Sequence, residues 1–116
     1  MPTWDDVVAI ATRLPGVEVT TSYGTPSLKV AGGFMCRLRT DPDALVLRVV
    51  DLGEREALLQ GQPDVFFTTP HYDGHAMVLV RFGAIDRDEL GELLTESWRL
   101  RAPKRLLAEF DASLES

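Results

Sequence analysis

The chain has 116 residues, which is enough for one compact domain with its own core and too few for two. Hydrophobic residues make up 45% and charged residues 26%, a globular composition that excludes intrinsic disorder. The 18 acidic residues outnumber the 12 lysines and arginines. The resulting net charge of −6 argues against a protein that coats nucleic acid, because non-specific duplex binding depends on cations that neutralise phosphates.

The N-terminal segment, Met-Pro-Thr-Trp-Asp-Asp, has neither the basic nor the apolar region of a secretory signal. No stretch approaches the roughly 18 apolar residues that a membrane span needs. Cys36 is the single cysteine, which rules out an internal disulfide and fits a reducing compartment. We therefore expect a cytoplasmic protein that does not contact a membrane.

The first segments of the chain predict one helix followed by an irregular connection. A helix is expected from Asp5 to Leu14, with Thr3 as its N-cap, and Pro15 and Gly16 end it. Residues 17–26 contain a Tyr-Gly pair and a proline, so an irregular approach to the first strand is expected there.

Alternating apolar residues then predict three strands, over residues 27–31, 34–40 and 45–50. Gly32 and Gly33 supply the first hairpin turn, because glycine accepts positive φ, and residues 41–44 supply the second turn. The three strands are therefore expected to form an antiparallel meander.

The second half predicts three helices and two strands. Asp51, with Glu54 three residues later, opens a short helix that Gly61 ends, and Asp86 opens the next helix in the same way. Pro103 suits the start of the last helix. Strands are expected over residues 65–69 and 76–82. The prediction is an α+β fold with a five-stranded antiparallel sheet and helices on one face, in the order α-β-β-β-α-β-β-α-α.

Four short motifs stand along the chain: Pro15-Gly16 followed by Glu18, Tyr23-Gly24-x-Pro26, Phe66-x-x-x-Pro70-His71, and Ser97-Trp98 near the end of an acidic helix. In this order and spacing they resemble the MmcQ/YjbR family, and the resemblance covers nearly the whole chain. Two positions depart from the family pattern. Gly32-Gly33 stands where the family often has Lys at a hairpin tip, and Ala76-Met77 stands where it often has Trp.

The resemblance implies a non-enzymatic binding domain with the DNA-binding role commonly attached to this family, in which projecting hairpins act as wings. Here the wings would be the Gly32-Gly33 hairpin and the loop from His71 to His75. The fold also resembles secretion-chaperone-like domains, which implies a protein partner as an alternative. A small anionic ligand is the other alternative, and no cofactor is implied.

Strand alternation places five cations on one face of the predicted sheet. The apolar residues expected to face the helices are Leu28, Val30, Phe34, Cys36, Leu38, Leu47, Val49, Val78, Val80 and Phe82. The cations that then point the other way are Lys29, Arg37, Arg39, Arg48 and Arg81. Such a face would bind nucleic acid or another anion, with Met35, Met77 and Leu79 between the charges. The alternative is that these charges only solvate an open sheet face.

Secondary candidates for anion binding lie near the C-terminus and on the second wing. They are Arg99, Arg101, Lys104, Arg105 and His71. Cations in the last turn of a helix also interact with its dipole, so the C-terminal group has a structural explanation as well.

No residue pattern declares a reaction or a metal. His71, Asp73 and His75 are spaced two apart, but they lack cysteine ligands and supporting partners, so no metal site is expected. Cys36 is expected to be buried on the core face, where a thiol is not an activated nucleophile. We therefore expect no enzyme activity.

Overall fold

A six-stranded antiparallel sheet organises the computed structural model, which describes residues 2–40 and 43–115. The strand order is β1-β2-β3-β4-β6-β5, so the first four strands form a meander and a helix makes the crossover to the far edge. The elements in chain order are α1 (Trp4–Ala11), β1 (Val17–Ser22), β2 (Thr25–Val30), β3 (Gly33–Arg39), β4 (Ala44–Arg48), α2 (Leu52–Gly61), β5 (Phe66–Phe67), β6 (Met77–Val80), α3 (Arg87–Arg101) and α4 (Lys104–Leu114). Short 3-10 helices lie at Pro70–Tyr72 and Phe82–Ala84.

Strand β1 corrects the prediction of five strands and of an irregular segment over residues 17–26. It pairs with β2 along its whole length, from Val17 opposite Val30 to Ser22 opposite Thr25. Tyr23 and Gly24 join the two strands with φ angles of 53° and 76°, and positive φ at both central residues is the type I′ hairpin geometry. The sequence does not indicate this turn, because Asn, Asp or Gly usually occupies the position of Tyr23 in a type I′ turn. The observed order is α-β-β-β-β-α-β-β-α-α.

The second hairpin turn also differs from the prediction. Ala31 and Gly32 take the positive φ angles, 51° and 79°, and Gly33 already belongs to β3. Asp41 and Pro42 of the predicted third turn lie outside the described residues. Strands β5 and β6 are shorter than predicted, because 3-10 helices take over the chain at Pro70 and Phe82.

The predicted helix starts are present in the structure. Thr3, Asp51 and Asp86 are the N-caps of α1, α2 and α3, and each side chain accepts a hydrogen bond from the backbone N–H three residues later. Pro103 is the N-cap of α4. Capping involves residues within one helical turn, so the helix starts can be recognised from neighbouring residues in the sequence.

Trp98 on α3 is the largest fully buried side chain on the helix side of the sheet. Its Nε1 donates to the carbonyl of Pro15 at 2.8 Å, and its ring meets that of Phe110 on α4 at 5.0 Å between centroids. The neighbouring Ser97 donates to the carbonyl of Met35 on β3 at 3.1 Å. Helix α3 therefore ties α1, α4 and the sheet together, and burial of each such large side chain contributes about 1.5–3 kcal/mol.

A bulge in β3 changes which side chains face outward. Leu28 pairs with Cys36 and Lys29 pairs with Phe34, so Met35 has no opposite residue. Met35 and Cys36 both lie in the helix-side core, whereas Phe34 packs with the cluster on the other face. The predictions that Phe34 faces the helices and that Met35 lies among the outer cations were therefore wrong. Alternation cannot anticipate an inserted residue.

Candidate anion-binding groove on the outer sheet face

The face of the sheet away from the helix-side core, called here the outer face, is partly covered. Its buried cluster consists of Ala44, Val46, Leu79 and Tyr72, with Phe34, Phe67 and Met77 packed against it. Tyr72 comes from the 3-10 helix between β5 and β6, so this short segment folds over the sheet. The outer face therefore has its own small apolar cluster, and the side chains around this cluster can enclose a groove.

The register distributes four of the five predicted strand cations over three rows of the sheet. Lys29 pairs with Phe34 and Arg48 with Met77 at one end, Arg37 pairs with Ser27 in the middle, and Arg39 pairs with Ala44 at the other end. Arg81 directly follows β6. These side chains do not form one cluster.

A groove of about 700 Å³ lies on this face around Lys29 and Arg37. Buried Val46 and Tyr72 form its floor, and exposed side chains form its rim. Rings beside the two cations belong to Tyr23, Phe34, His71, Tyr72 and His75. The described residues that line the groove carry no carboxylate, although Glu18 on β1 stands directly opposite Lys29.

Arg37 is held in position by neutral groups. Its Nη2 donates to the hydroxyl of Tyr72, its Nη1 donates to Oγ1 of Thr25 at 3.4 Å, and its Cζ lies 5.6 Å from the ring centroid of Tyr23. Hydroxyls and a ring orient the guanidinium without neutralising its charge. The charge of Arg37 therefore stays available to an anion in the groove.

The two segments predicted as wings border this same groove. Gly32 of the β2–β3 hairpin lines it, and so do His71 and His75 of the loop between β5 and β6. The ring of His71 packs edge-on against Tyr72 with 4.8 Å between centroids, and Gly74 makes the turn with φ 79°. The structure thus brings the two wings to one site.

Arg55 supports the second wing, and the sequence analysis did not single it out. Its side chain is 7% exposed, although it lies on α2 among charged surface residues. Its Nε donates to the carbonyl of Met77 at 3.1 Å and its Nη2 to Oγ1 of Thr68 at 2.8 Å, on the two sides of the loop. No local signal distinguishes this arginine from an exposed one, because only the packing of α2 against β6 buries it.

Arg48 lies close to Arg101 of the C-terminal basic group. Desolvation lowers the pKa of Arg48, and the positive charge of Arg101 lowers it further. Arg101 reaches the sheet, where its Nε donates to the carbonyl of Phe34 at 3.4 Å. Arg48 also borders a smaller cavity of about 250 Å³, which Glu54 and Glu96 line as well. These acids make this end of the sheet a weaker place for an anion than the groove.

The remaining predicted cations lie apart from the groove. Arg81 donates to the carbonyl of Pro63 at 3.0 Å and stacks on Phe67, beside a separate, largely apolar cleft of about 620 Å³. Arg99 forms an ion pair with Asp111 at 3.4 Å. Lys104 and Arg105 are exposed at the start of α4. The structure therefore separates the members of the C-terminal group.

The described residues bring together no metal ligands and no activated thiol. No three His, Cys, Asp or Glu side chains converge as metal ligands within residues 2–40 and 43–115. Cys36 is fully buried and burial raises the pKa of its thiol, which disfavours the thiolate. No helix in the described part of the chain has both the length and the apolar character needed to cross a bilayer. Exposed large apolar side chains occur at Val19, Tyr23, Val50, Leu52, Leu100 and Leu114.

A meander extended by a crossover hairpin, with helices on one face and a cationic groove on the other, defines a small α+β domain. A solved structure shares this architecture. It is the crystal structure of a Deinococcus radiodurans protein with a DUF419 domain, with a TM-score of 0.72 and 28% identity, and the match covers 86% of this chain and 78% of that one.

The sequence also matches the YjbR family over residues 12–100, so the chain belongs to that family and the predicted resemblance is confirmed. Relatives include uncharacterized proteins of Mycobacterium bovis and Mycobacterium tuberculosis. Each is 36% identical to this chain, and the match spans 97% of this chain and 98% of the relative.

Proposed function

We propose that this chain is a non-enzymatic binding domain that takes a phosphate-bearing ligand, with nucleic acid as the leading class, in the outer-face groove. One observation carries the proposal. Lys29 and Arg37 line a groove without a carboxylate among its described lining residues, in a chain whose net charge is −6. A local concentration of one charge sign attracts a ligand of the opposite sign even when the rest of the molecule repels it.

The chemistry of Arg37 supports a phosphate as the bound group. A guanidinium has five N–H donors, and Arg37 commits two of its nitrogens to hydroxyl oxygens. Charge-assisted bonds from arginine to phosphate oxygens are among the strong hydrogen bonds in proteins. Lys29 adds a second, more mobile cation to the same groove.

Nucleic acid is favoured over a small anion because both wings reach the groove. The β2–β3 hairpin contributes Gly32, and the loop between β5 and β6 contributes His71 and His75. Two loop segments at the edge of a cationic groove suit an extended ligand that continues beyond it. The groove volume, about 700 Å³, also falls within the range of small-molecule sites, so a small phosphate-bearing ligand is the second candidate.

Fluorescence anisotropy with labelled oligonucleotides tests the proposal. The groove variants are Lys29→Glu and Arg37→Gln, and glutamine keeps a donor for the hydroxyl of Tyr72. Loss of one phosphate-binding cation should weaken binding about tenfold at low salt. The control variant is Lys104→Glu with Arg105→Glu, which reverses two exposed cations on α4 and should weaken binding less than about threefold.

Salt dependence separates the two ligand classes. Binding through several phosphates falls steeply as salt rises, whereas a small-anion site responds far less. Equal losses in the groove and control variants would contradict the assignment to the groove. Failure of the wild type to bind any oligonucleotide at low salt, with heat evolved on titration of a small phosphate compound, would select the second candidate.

A further inference from the structure

Tyr23 occupies a position that the fold alone does not favour. It is the first central residue of the β1–β2 turn, with φ 53°, and its side chain is 92% exposed. Positive φ at this position favours Gly, Asn or Asp, and for a bulky residue it is an outlier. A large ring held in water in an unfavourable backbone conformation is a feature that stability does not explain. Such conflicts between local preference and structure are expected where a protein binds something.

The ring of Tyr23 stands at the rim of the groove described above. The guanidinium of Arg37 lies over it, 5.6 Å from the centroid, and Lys29 lines the same groove. The high exposure of Tyr23 leaves much of its ring surface available to a second planar group. The site thus places a stacking surface beside Arg37, and Lys29 is a second cation farther along the same groove.

A nucleotide whose base is unpaired matches this combination. Its base offers a flat face to an aromatic ring, and its phosphate offers oxygens to arginine and lysine. In a duplex the bases are stacked inside and present no such face to the groove. Stacking also reduces the number of phosphate contacts that binding needs, which suits a chain with a net charge of −6.

We propose that the groove binds an unpaired nucleotide, with its base stacked on Tyr23, its phosphate at Arg37, and Lys29 as a further cation along the same groove. The chain would then prefer single-stranded nucleic acid to duplex. This inference rests on the proposed function and names the ligand class of the same groove. The nucleotide can belong to a strand or be a free nucleoside monophosphate, since the two share this chemistry.

The test uses anisotropy with a labelled 12-nucleotide single strand and a duplex of the same length, at low salt. Tyr23→Asn removes the ring and suits the turn, and Tyr23→Phe keeps the ring and removes only the hydroxyl. We expect the single strand to bind at least about tenfold more tightly than the duplex. Stacking energies predict a loss of about tenfold for Tyr23→Asn, and Tyr23→Phe should stay within about twofold of wild type.

Thermal unfolding checks that Tyr23→Asn is folded, and Tyr23→Gly is a second ring-free variant with the same expected loss. Competition with thymidine monophosphate and with inorganic phosphate identifies the source of the nucleotide. Displacement by the monophosphate, at concentrations where phosphate has no effect, assigns the site to free nucleotides as well. Displacement only by an unlabelled strand assigns it to nucleic acid.

Unchanged single-strand binding in the folded ring-free variants, a preference for duplex, or equal competition by inorganic phosphate would overturn the inference. If Lys29→Glu still weakens binding in that case, the proposed function stands and only the stacking role fails. If the wild type binds neither labelled probe and evolves no heat on titration of a small phosphate compound, the proposed function itself fails.

Discussion

Replacement of Arg55 by methionine tests whether this buried arginine anchors the second wing. The guanidinium donates to the carbonyl of Met77 and to the hydroxyl of Thr68, at 3.1 and 2.8 Å. It also pairs with Glu56, whose side chain is 53% exposed. Methionine keeps most of the aliphatic stem of Arg55 and removes every donor.

The expected loss of stability follows from the two hydrogen bonds that Arg55 donates to neutral acceptors. Each has a charged donor and contributes about 1.5–3 kcal/mol, so the gross loss is about 3–6 kcal/mol. The surface pair with Glu56 adds less than about 1 kcal/mol. Removal of a buried charge returns part of this loss, because the guanidinium no longer has to be desolvated. We expect a net decrease of about 2 kcal/mol in the free energy of unfolding, or about 8 °C in Tm for a domain of this size.

Urea unfolding followed by tryptophan fluorescence and by circular dichroism measures this change. Arg105→Met is the matched control, because Arg105 is exposed on α4 and its replacement should change stability by less than about 0.5 kcal/mol. An Arg55→Met protein as stable as this control would contradict the anchoring role of Arg55. It would mean that the two hydrogen bonds contribute nothing net and that the wing is held by other contacts.

Three further predictions concern the core, the turns and the first helix. Burial raises the pKa of the Cys36 thiol, so a thiol reagent should modify native protein far more slowly than unfolded protein, and fast stoichiometric labelling would contradict burial. Gly16→Ala should destabilise the protein by about 1–3 kcal/mol in urea unfolding, because φ is 75° and the new Cβ would lie 2.6 Å from Leu106. Gly24 also has a positive φ, 76°, but no atom lies within 4 Å of a Cβ added there, so Gly24→Ala should lower the free energy of unfolding by about 1–2 kcal/mol through backbone strain alone. Equal losses in the two variants would show that Leu106 moves to accommodate the new methyl group at position 16. The pKa of Asp6 is lowered mainly by the hydrogen bond that its carboxylate accepts from the backbone N–H of Thr3. The ionised carboxylate therefore stabilises the folded protein above about pH 3.9, the pKa of an unfolded aspartate. This stabilisation is lost as the pH falls through the lower pKa of Asp6 in the folded protein. Asp6→Asn should therefore be less stable than wild type at pH 7 and approach it near pH 2, and a difference independent of pH would count against this assignment.

Features that depend on neighbouring residues were predictable from the amino-acid sequence. The helix starts at Asp51 and Asp86 were predictable because capping involves residues three apart. Family membership followed from short motifs that keep their order along the chain. The outward direction of Lys29 and Arg37 followed from strand alternation, since successive side chains of a strand point to opposite faces.

Which of these residues contact one another depends on the tertiary structure. The bulge at Met35 reversed the direction of Phe34, because an extra residue shifts the phase of a strand without any mark in its composition. Arg37 meets Tyr72 across 35 residues, and Arg101 meets Phe34 across 67. Such contacts depend on how the sheet and the wing loop pack together. Strand periodicity predicted five cations on one face, because the direction of a side chain depends only on its position in its own strand. Lys29 and Arg37 line the groove because several strands and a loop pack together there, which periodicity does not predict.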